Sequence, residues 1–414
     1  MSSKLHLGVR KYLLGDTVAT TDPRQPSGVL AEITPLAGSE EKTIRRLVPI
    51  GPHGRTELID VPAGRLAIQV RLPSGEILNR DIVLPDGQES TVVLETRSSP
   101  HEWMSWPRFL SKAAQTAPEP EGVGYRIRDL HPALWVRRQN GTIELRPGPL
   151  WHEDVDAGRR LVSYTFTGSV AGWGERPFLT IDPAPPSSTM LATIPLPWSR
   201  EGQVPRVQVV IRLAKGEERD DVDVLVHDPW LAPMLGYLES GDLAAARQFE
   251  ASVLENAEDL LSEKAMNPIA AAAGAYLLLQ TRALQRLHDW PRNLAARFDW
   301  LPDGAIIYAT QMLRTRDRNK KAIREALLSA AKRGAPVFVE GVQLLGDGLR
   351  VLANYEATGS EAPGQYRRRR ADEQFEALSE WVAALESATR PDTLFTILEA
   401  EDATLRSLIA GFSL

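Results

Sequence analysis

Two acidic clusters are the first places where this sequence could do chemistry. Trp151-His152-Glu153-Asp154-Val155-Asp156 sets an imidazole beside three carboxylates, oxygen-rich donors of the kind a divalent cation takes. No recognised ligand spacing accompanies them, and the stretch reads better as a solvated loop between strands. Asp220-Asp221-Val222-Asp223-Val224-Leu225-Val226-His227-Asp228 offers a second carboxylate patch. Its alternation predicts a strand with valines inward and aspartates in water. The 7 histidines are scattered, with no two at ligand spacing. There is no G-x-S-x-G elbow and no His-Glu-x-x-His, and Gly122-Val123-Gly124 lacks the third glycine and the helix of a phosphate loop. An enzyme here would need a site assembled from dispersed residues, with His152 and Asp154 as its candidates. We therefore assign no catalytic residue, no metal ligand and no cofactor, and expect a protein that binds rather than catalyses.

The basic and aromatic residues give sharper candidates. Trp103 and Trp106 flank Pro107 in a connecting segment, where they either anchor a partner or pin the segment to its own domain. Arg314, Arg316, Arg318, Lys320, Lys321 and Arg324, then Lys332 and Arg333, form a basic stretch that suits an acidic partner or nucleic acid. Asp317 and Glu325 dilute it, as on an ordinary solvated helix face. Arg367, Arg368, Arg369 and Arg370 are four adjacent cations that repel one another unless acids such as Asp372 and Glu373 answer them. Gly359, Ser360, Pro363 and Gly364 precede them, so residues 356–370 read as an exposed loop and a natural site for an Arg-specific protease.

Bulk properties narrow the classes. The 414 residues call for two or three domains. Hydrophobic content of 43% and charge of 25% are those of a globular chain. A net charge of -6 argues against a general nucleic-acid binder. The absence of cysteine excludes disulfides, thiolate zinc sites, iron–sulfur clusters and a cysteine nucleophile. Residues 1–12 alternate and carry charge, unlike a signal peptide. Pro268–Leu279, the longest apolar stretch, is broken by Gly274 and too short to span a bilayer. A cytoplasmic protein with protein partners and no membrane is the expectation.

The elements that must position these residues fall into a β-rich front and a helical back. Leu66, Ile68, Val70 and Leu72 alternate with polar neighbours, Pro73–Glu76 turns the chain to Ile77–Leu84, and Pro85-Asp86-Gly87 turns it again to Ser90–Glu95. This predicts a three-stranded antiparallel meander in a small β-sandwich at residues 1–98, with earlier strands at Leu5–Tyr12, Val29–Ile33 and Thr43–Val48. Residues 99–122 read as a tryptophan-bearing linker. A second β region spans 123–228, with strands at Leu161–Phe166, Met190–Ile194, Val207–Leu213 and Val222–Val226. Its Asn140-Gly141 sits between two alternating runs and predicts a type I′ hairpin. From 229 to 414 apolar residues recur at three and four. Helices are expected at Leu231–Leu238, from Asp242 to Lys264, from Asn267-Pro268 onward, at Ile306–Arg316, Lys321–Arg333, from Pro336 to Asn354, at Asp372–Ser387 and at Thr393–Ala410. Tyr237, Tyr276 and Met312 recur at similar places, as in a stack of tetratricopeptide-like (TPR-like) helical hairpins. The fold class is multidomain, antiparallel β-sandwich regions followed by a TPR-like α-helical domain.

Asp60-Val61-Pro62-Ala63-Gly64-Arg65-Leu66-Ala67-Ile68-Gln69-Val70-Arg71-Leu72-Pro73-Ser74-Gly75-Glu76 resembles the PEGA and carboxypeptidase-regulatory-like β-sandwich modules. The wider arrangement, with Ser99-Pro100-His101-Glu102-Trp103-Met104-Ser105-Trp106 ahead of an Ala-rich helical region, is similar to bacterial proteins encoded near caspase-like proteases. That resemblance implies a non-enzymatic partner or substrate of such a protease, in cascades that include antiviral ones linked to type III CRISPR systems. A constitutive scaffold without a proteolytic switch is the alternative.

Overall fold

The structure is a computed structural model. It describes residues 2–11, 27–36, 43–51, 56–71, 77–96, 130–148, 150–156, 161–166, 170–182, 188–198, 206–213, 220–227, 232–240, 267–315, 319–358 and 365–413. The chain divides into two units, one of residues 1–116 with 226–256 and the other of residues 117–225 with 257–414. Each unit is drawn from two separate stretches of the sequence, which alternate along the chain.

The first unit is built on one seven-stranded sheet of β1 (Ser2–Lys11), β2 (Ser27–Pro35), β3 (Ile44–Gly51), β4 (Glu57–Pro62), β5 (Gly64–Arg71), β6 (Ile77–Leu84) and β7 (Glu89–Thr96). Along β5, Leu66, Ile68 and Val70 are buried and Arg65 faces solvent, the period of two that the sequence shows. Its partner β6 is an antiparallel edge strand, tied on the wet face by Arg65–Asp81 at 3.0 Å and Gln69–Asn79 at 3.1 Å. Such cross-strand pairs contribute about 0.2–1 kcal/mol each, far less than the ~1.5–3 kcal/mol of each buried Leu, Ile or Val.

The meander ends after two strands. β7 pairs in parallel with β1, from Lys4↔Glu89 to Lys11↔Thr96. On the other side of β1, β4 runs antiparallel and β3 then takes over in parallel at Val9↔Ile50. The sheet is thus mixed, where a wholly antiparallel one was expected. The reason lies in burial: Leu5, Leu7 and Val9 of β1 need an apolar neighbour, and Val92 and Leu94 of β7 supply it. Helix α1 (Ala232–Ser240) packs on β2 through a buried face containing Met234, Leu235 and Leu238, so it belongs to this unit.

Among the described residues the second unit holds two sheets. One runs β16 (Ile397–Ala400), β13 (Thr189–Thr193), β12 (Arg176–Asp182), β8 (His131–Arg137), β9 (Ile143–Leu145), antiparallel throughout. The other runs β10 (His152–Asp156), β11 (Leu161–Phe166), β14 (Arg206–Arg212), β15 (Asp221–His227). The hairpin at Asn140-Gly141 forms, but only Gly141 takes positive φ, at 87°. Gly141 N–H bonds Arg138 O at 2.9 Å and Arg138 N–H bonds Thr142 O at 2.8 Å, a three-to-five-residue turn with a glycine bulge rather than type I′.

Among the described residues seven α-helices complete this unit: α2 (Pro268–Gln280), α3 (Trp290–Arg297), α4 (Pro302–Arg314), α5 (Lys320–Lys332), α6 (Val339–Thr358), α7 (Gln365–Ala388) and α8 (Asp402–Ala410). Asn267 caps α2 by accepting the Ala270 N–H at 3.0 Å, and Pro268 stands at its tolerated first turn. From Pro268 to Leu279 every residue of α2 is buried, so the apolar stretch is a core helix. α4–α5 and α6–α7 pack as pairs, yet α4 also touches α2, α3 and α6. Packing therefore radiates from α4 instead of passing along a line of hairpins, and Tyr237 belongs to the first unit whereas Tyr276 and Met312 belong to the second. Two further expectations are corrected. Thr393–Ala410 is not one helix, because residues 397–400 join the sheet beside β13 as β16. The segment 356–370 is not one loop: 356–358 end α6, 365–370 begin α7, and 359–364 lie outside the described residues. The expected helix from Asp242 to Lys264 also lies outside them.

No helix of the described residues is long and apolar enough to cross a membrane.

Candidate functional site

The second unit concentrates its buried charge around one connector, Arg333–Phe338, between α5 and α6. Arg176 on β12 is 1% exposed and donates to Arg333 O at 2.8 Å and to Ala335 O. Asp303, in the first turn of α4 and fully buried, accepts Val337 N–H at 2.9 Å, Phe338 N–H at 3.3 Å and the Tyr276 hydroxyl at 2.9 Å. It thereby caps the start of α6 from another helix. Arg333 itself reaches back to Leu301 O at 3.0 Å, Ala295 O at 3.2 Å and Phe298 O at 3.3 Å. Gly334 has φ of 86°, and a Cβ there would run into Ile409 O, so only glycine fits between α5 and α8.

Burial governs the ionisation of these groups. It pulls Arg176 down to about 9, helped by the Arg137 charge and opposed by Asp303. It pulls Arg137 down to about 10, with Arg333 adding to the effect, and lowers Arg333 against the attraction of Asp299. Burial raises Asp303 above the usual carboxylate range, against its hydrogen bonds and Arg176. Tyr276 is pushed well up by burial and by Asp303. These groups hold main chain together, and all three guanidiniums spend donors on carbonyl oxygens.

Beside this cluster lies a cleft of about 730 Å³. Its walls are the β8–β9 turn (Gln139, Asn140, Gly141), the last turns of α5 (Leu328, Ser329, Lys332, Arg333) and the chain after α8 (Gly411, Phe412, Ser413). Arg137 closes one wall, 4% exposed, donating to Lys332 O at 3.0 Å and to Ala410 O at 3.3 Å. Asp299 and Glu325 are the carboxylates of the lining. The Asp299 carboxylate accepts the Gln139 amide at 2.7 Å, and Glu325 lies 3.8 Å from Lys321.

Trp173 is 57% exposed on the turn Gly172–Glu175. Glu175 fixes that turn: its carboxylate accepts the Gly172 N–H at 2.8 Å and Arg146 at 2.8 and 2.9 Å. Trp173 packs edge-on against buried Phe298 and Trp300, with centroids 5.6 and 6.4 Å away. At Gly174, φ is 84° and a Cβ would stand 3.5 Å from the Gln139 side chain, so the turn lies beside the cleft wall.

The residues singled out in the sequence scatter around this centre. Arg314 ends α4 and donates to Leu279 O at 2.5 Å. Lys320 and Lys321 begin α5 as exposed residues and do not line the cleft, although Lys321 lies 3.8 Å from Glu325, which does. Among the described residues of the basic stretch, Lys332 and Arg333 enter the cleft. Trp103, Trp106 and Arg318 lie outside the described residues. Arg367, Arg368, Arg369 and Arg370 lie within α7, the third to sixth residues of that helix.

The acidic clusters are strands. His152–Asp156 is β10, paired from His152↔Thr165 to Asp156↔Leu161, where a loop was expected. Among the described residues no three His, Asp or Glu side chains gather as a metal site. In β15 the expected wet aspartates are not all wet: Asp223 is 2% exposed and bonds the Val224 N–H at 2.8 Å. Arg137, Arg176 and Asp303 carried no sequence signal, since an isolated Arg or Asp in a chain with 25% charged residues reads as surface.

The chain thus forms two units, one with a mixed sheet and one in which helices α7 and α8 pack on the sheet strand β16. Residues 233–405 match the family model of the Y4kD C-terminal domain, from α1 into α8. No curated protein and no solved structure matches the chain.

Proposed function

We propose that this protein is a non-catalytic adaptor or regulator acting through protein partners in the cytoplasm, with a caspase-like protease among them and Arg367–Arg370 as the segment it cuts. The carrying observation is the start of α7, which has no acid in its first turn and four arginines at positions three to six. A helix N-terminus bears roughly half a positive charge, so each cation in the first turn costs about 0.3–1 kcal/mol. That end of α7 opens more cheaply than the rest, and a protease needs such local opening to cut a helical site. The buried arginines and Asp303, engaged on main chain, support a binding role over a catalytic one. The resemblance to proteins encoded beside caspase-like proteases supports the choice of partner and an antiviral, CRISPR-linked setting.

Limited trypsinolysis of the full chain, read by intact mass, tests the switch. The expected first cut falls at Arg367–Arg370, and replacing all four arginines with glutamine delays it. First cuts elsewhere, with this segment surviving, overturn the reading. A constitutive scaffold is the second reading, favoured by the connector Arg333–Phe338, which is bonded from several sides at once.

A further inference from the structure

We infer that the cleft beside Arg137, with Trp173 at its rim, is a docking site for an acidic polypeptide segment. The charge of the lining argues this. Three cations, Arg137, Lys332 and Arg333, face two carboxylates, Asp299 and Glu325. The carboxylates already have a polar or cationic neighbour, Gln139 at 2.7 Å for Asp299 and Lys321 at 3.8 Å for Glu325. Arg137 holds only neutral carbonyl oxygens, and Arg333, which also holds carbonyl oxygens, shares the attraction of Asp299, so the three cations outnumber the two carboxylates by one. A field of this kind favours an anionic occupant and selects against a basic one.

The rest of the lining fits a polypeptide better than a lone anion. Gln139, Asn140 and Ser329 offer side-chain donors and acceptors suited to peptide groups, and Leu328 and Phe412 add apolar surface. Trp173 supplies what a small anion has no use for, a broad exposed face on a turn braced by Glu175 and Arg146. An aromatic anchor already ordered before binding loses little entropy when a partner covers it. A Cβ at Gly174 would stand 3.5 Å from the Gln139 side chain, which sets the Trp173 turn beside the cleft wall.

This site rests on the adaptor reading only in taking a polypeptide as ligand; trypsin cutting and cleft binding succeed or fail separately. The test uses the full chain labelled with 5-fluorotryptophan, with the Trp173 resonance assigned through Trp173→Phe. An acetylated, amidated peptide of alternating Glu and Ala is the probe, and its Lys–Ala counterpart, inorganic phosphate and a short single-stranded DNA are the comparisons. The Glu–Ala peptide is expected to shift the Trp173 resonance saturably. Lys332→Glu, on an exposed side chain whose main-chain bond to Arg137 is retained, is expected to weaken that binding about tenfold or more. Circular dichroism checks that the variant is folded. Silence with the Glu–Ala peptide overturns the proposal. So does an equal shift with the Lys–Ala peptide, an equal shift with phosphate alone, or a response to DNA without one to the peptide.

Discussion

Replacing Asp303 with alanine strands three donors at once, and the cost follows from the geometry. Its carboxylate takes the Tyr276 hydroxyl at 2.9 Å, Val337 N–H at 2.9 Å and Phe338 N–H at 3.3 Å. Tyr276, Val337, Phe338 and Asp303 are each at most 1% exposed, so water cannot replace it without rearrangement. A stranded buried donor costs about 1–3 kcal/mol. Removing the carboxylate also relieves its own desolvation, so the net expected for Asp303→Ala is about 4 kcal/mol, not the full sum. For a unit of this size that lowers the melting temperature by roughly 10 °C. Asp303→Asn keeps one acceptor but turns an amide N–H₂ toward a donor, and about 2 kcal/mol is expected. Urea unfolding gives the energy, and hydrogen exchange at Val337 and Phe338 localises it. Both amides should lose protection in the alanine variant before the sheets do. An alanine variant within about 1 kcal/mol of the parent, with those amides still protected, refutes the view that Asp303 caps α6.

Three further outcomes are expected. Burial raises Glu340 above its ordinary value of 4.5, so the folded state holds that proton more tightly than the unfolded one. Stability from this group is complete below about pH 4.5 and is lost as pH rises through the raised folded value; Glu340→Gln should therefore gain on the parent from pH 4 to 7 in urea titrations, and an opposite tilt rejects the assignment. Gly334→Ala combines positive φ with a Cβ driven into Ile409 O, and about 3 kcal/mol or more of destabilisation is expected by thermal melting. Residues 257–414 expressed alone should lack a cooperative transition and regain one on mixing with residues 117–225, because β16 pairs with β13 and Arg176 holds Arg333 O and Ala335 O.

What the sequence disclosed depends on how each element meets water. β5 and β6 have one wet face, and their alternation placed them within a residue or two. β12 is buried from Arg176 through Ile181, so no alternation survives to be read. β10 is acidic and mostly exposed, which disguised an edge strand as a loop. β16 has four residues, too few to interrupt the helical pattern around it. The arginine run was visible, but repulsion among its charges does not prevent a helix 24 residues long from including it. The cleft was least legible, since its walls come from a β-turn, one helix end and the chain terminus, brought together only by the fold.

The strand β16 separates severing this chain from dismantling it. Beyond Arg370 lie Leu378, Val382, Leu385, Phe395, Ile397, Leu398, Leu405, Leu408 and Ile409, all buried. β16 lies in register with β13 from Thr189↔Ala400 to Ala192↔Ile397, and Arg390 donates to Asp220 O at 2.8 Å. At ~1.5–3 kcal/mol for each buried side chain, the last stretch stays seated after a backbone cut. A nicked molecule would elute as one particle and fall into two only in denaturant. What a protease would create here is a pair of new chain ends on an intact body, a mark to be read in place rather than a fragment sent elsewhere.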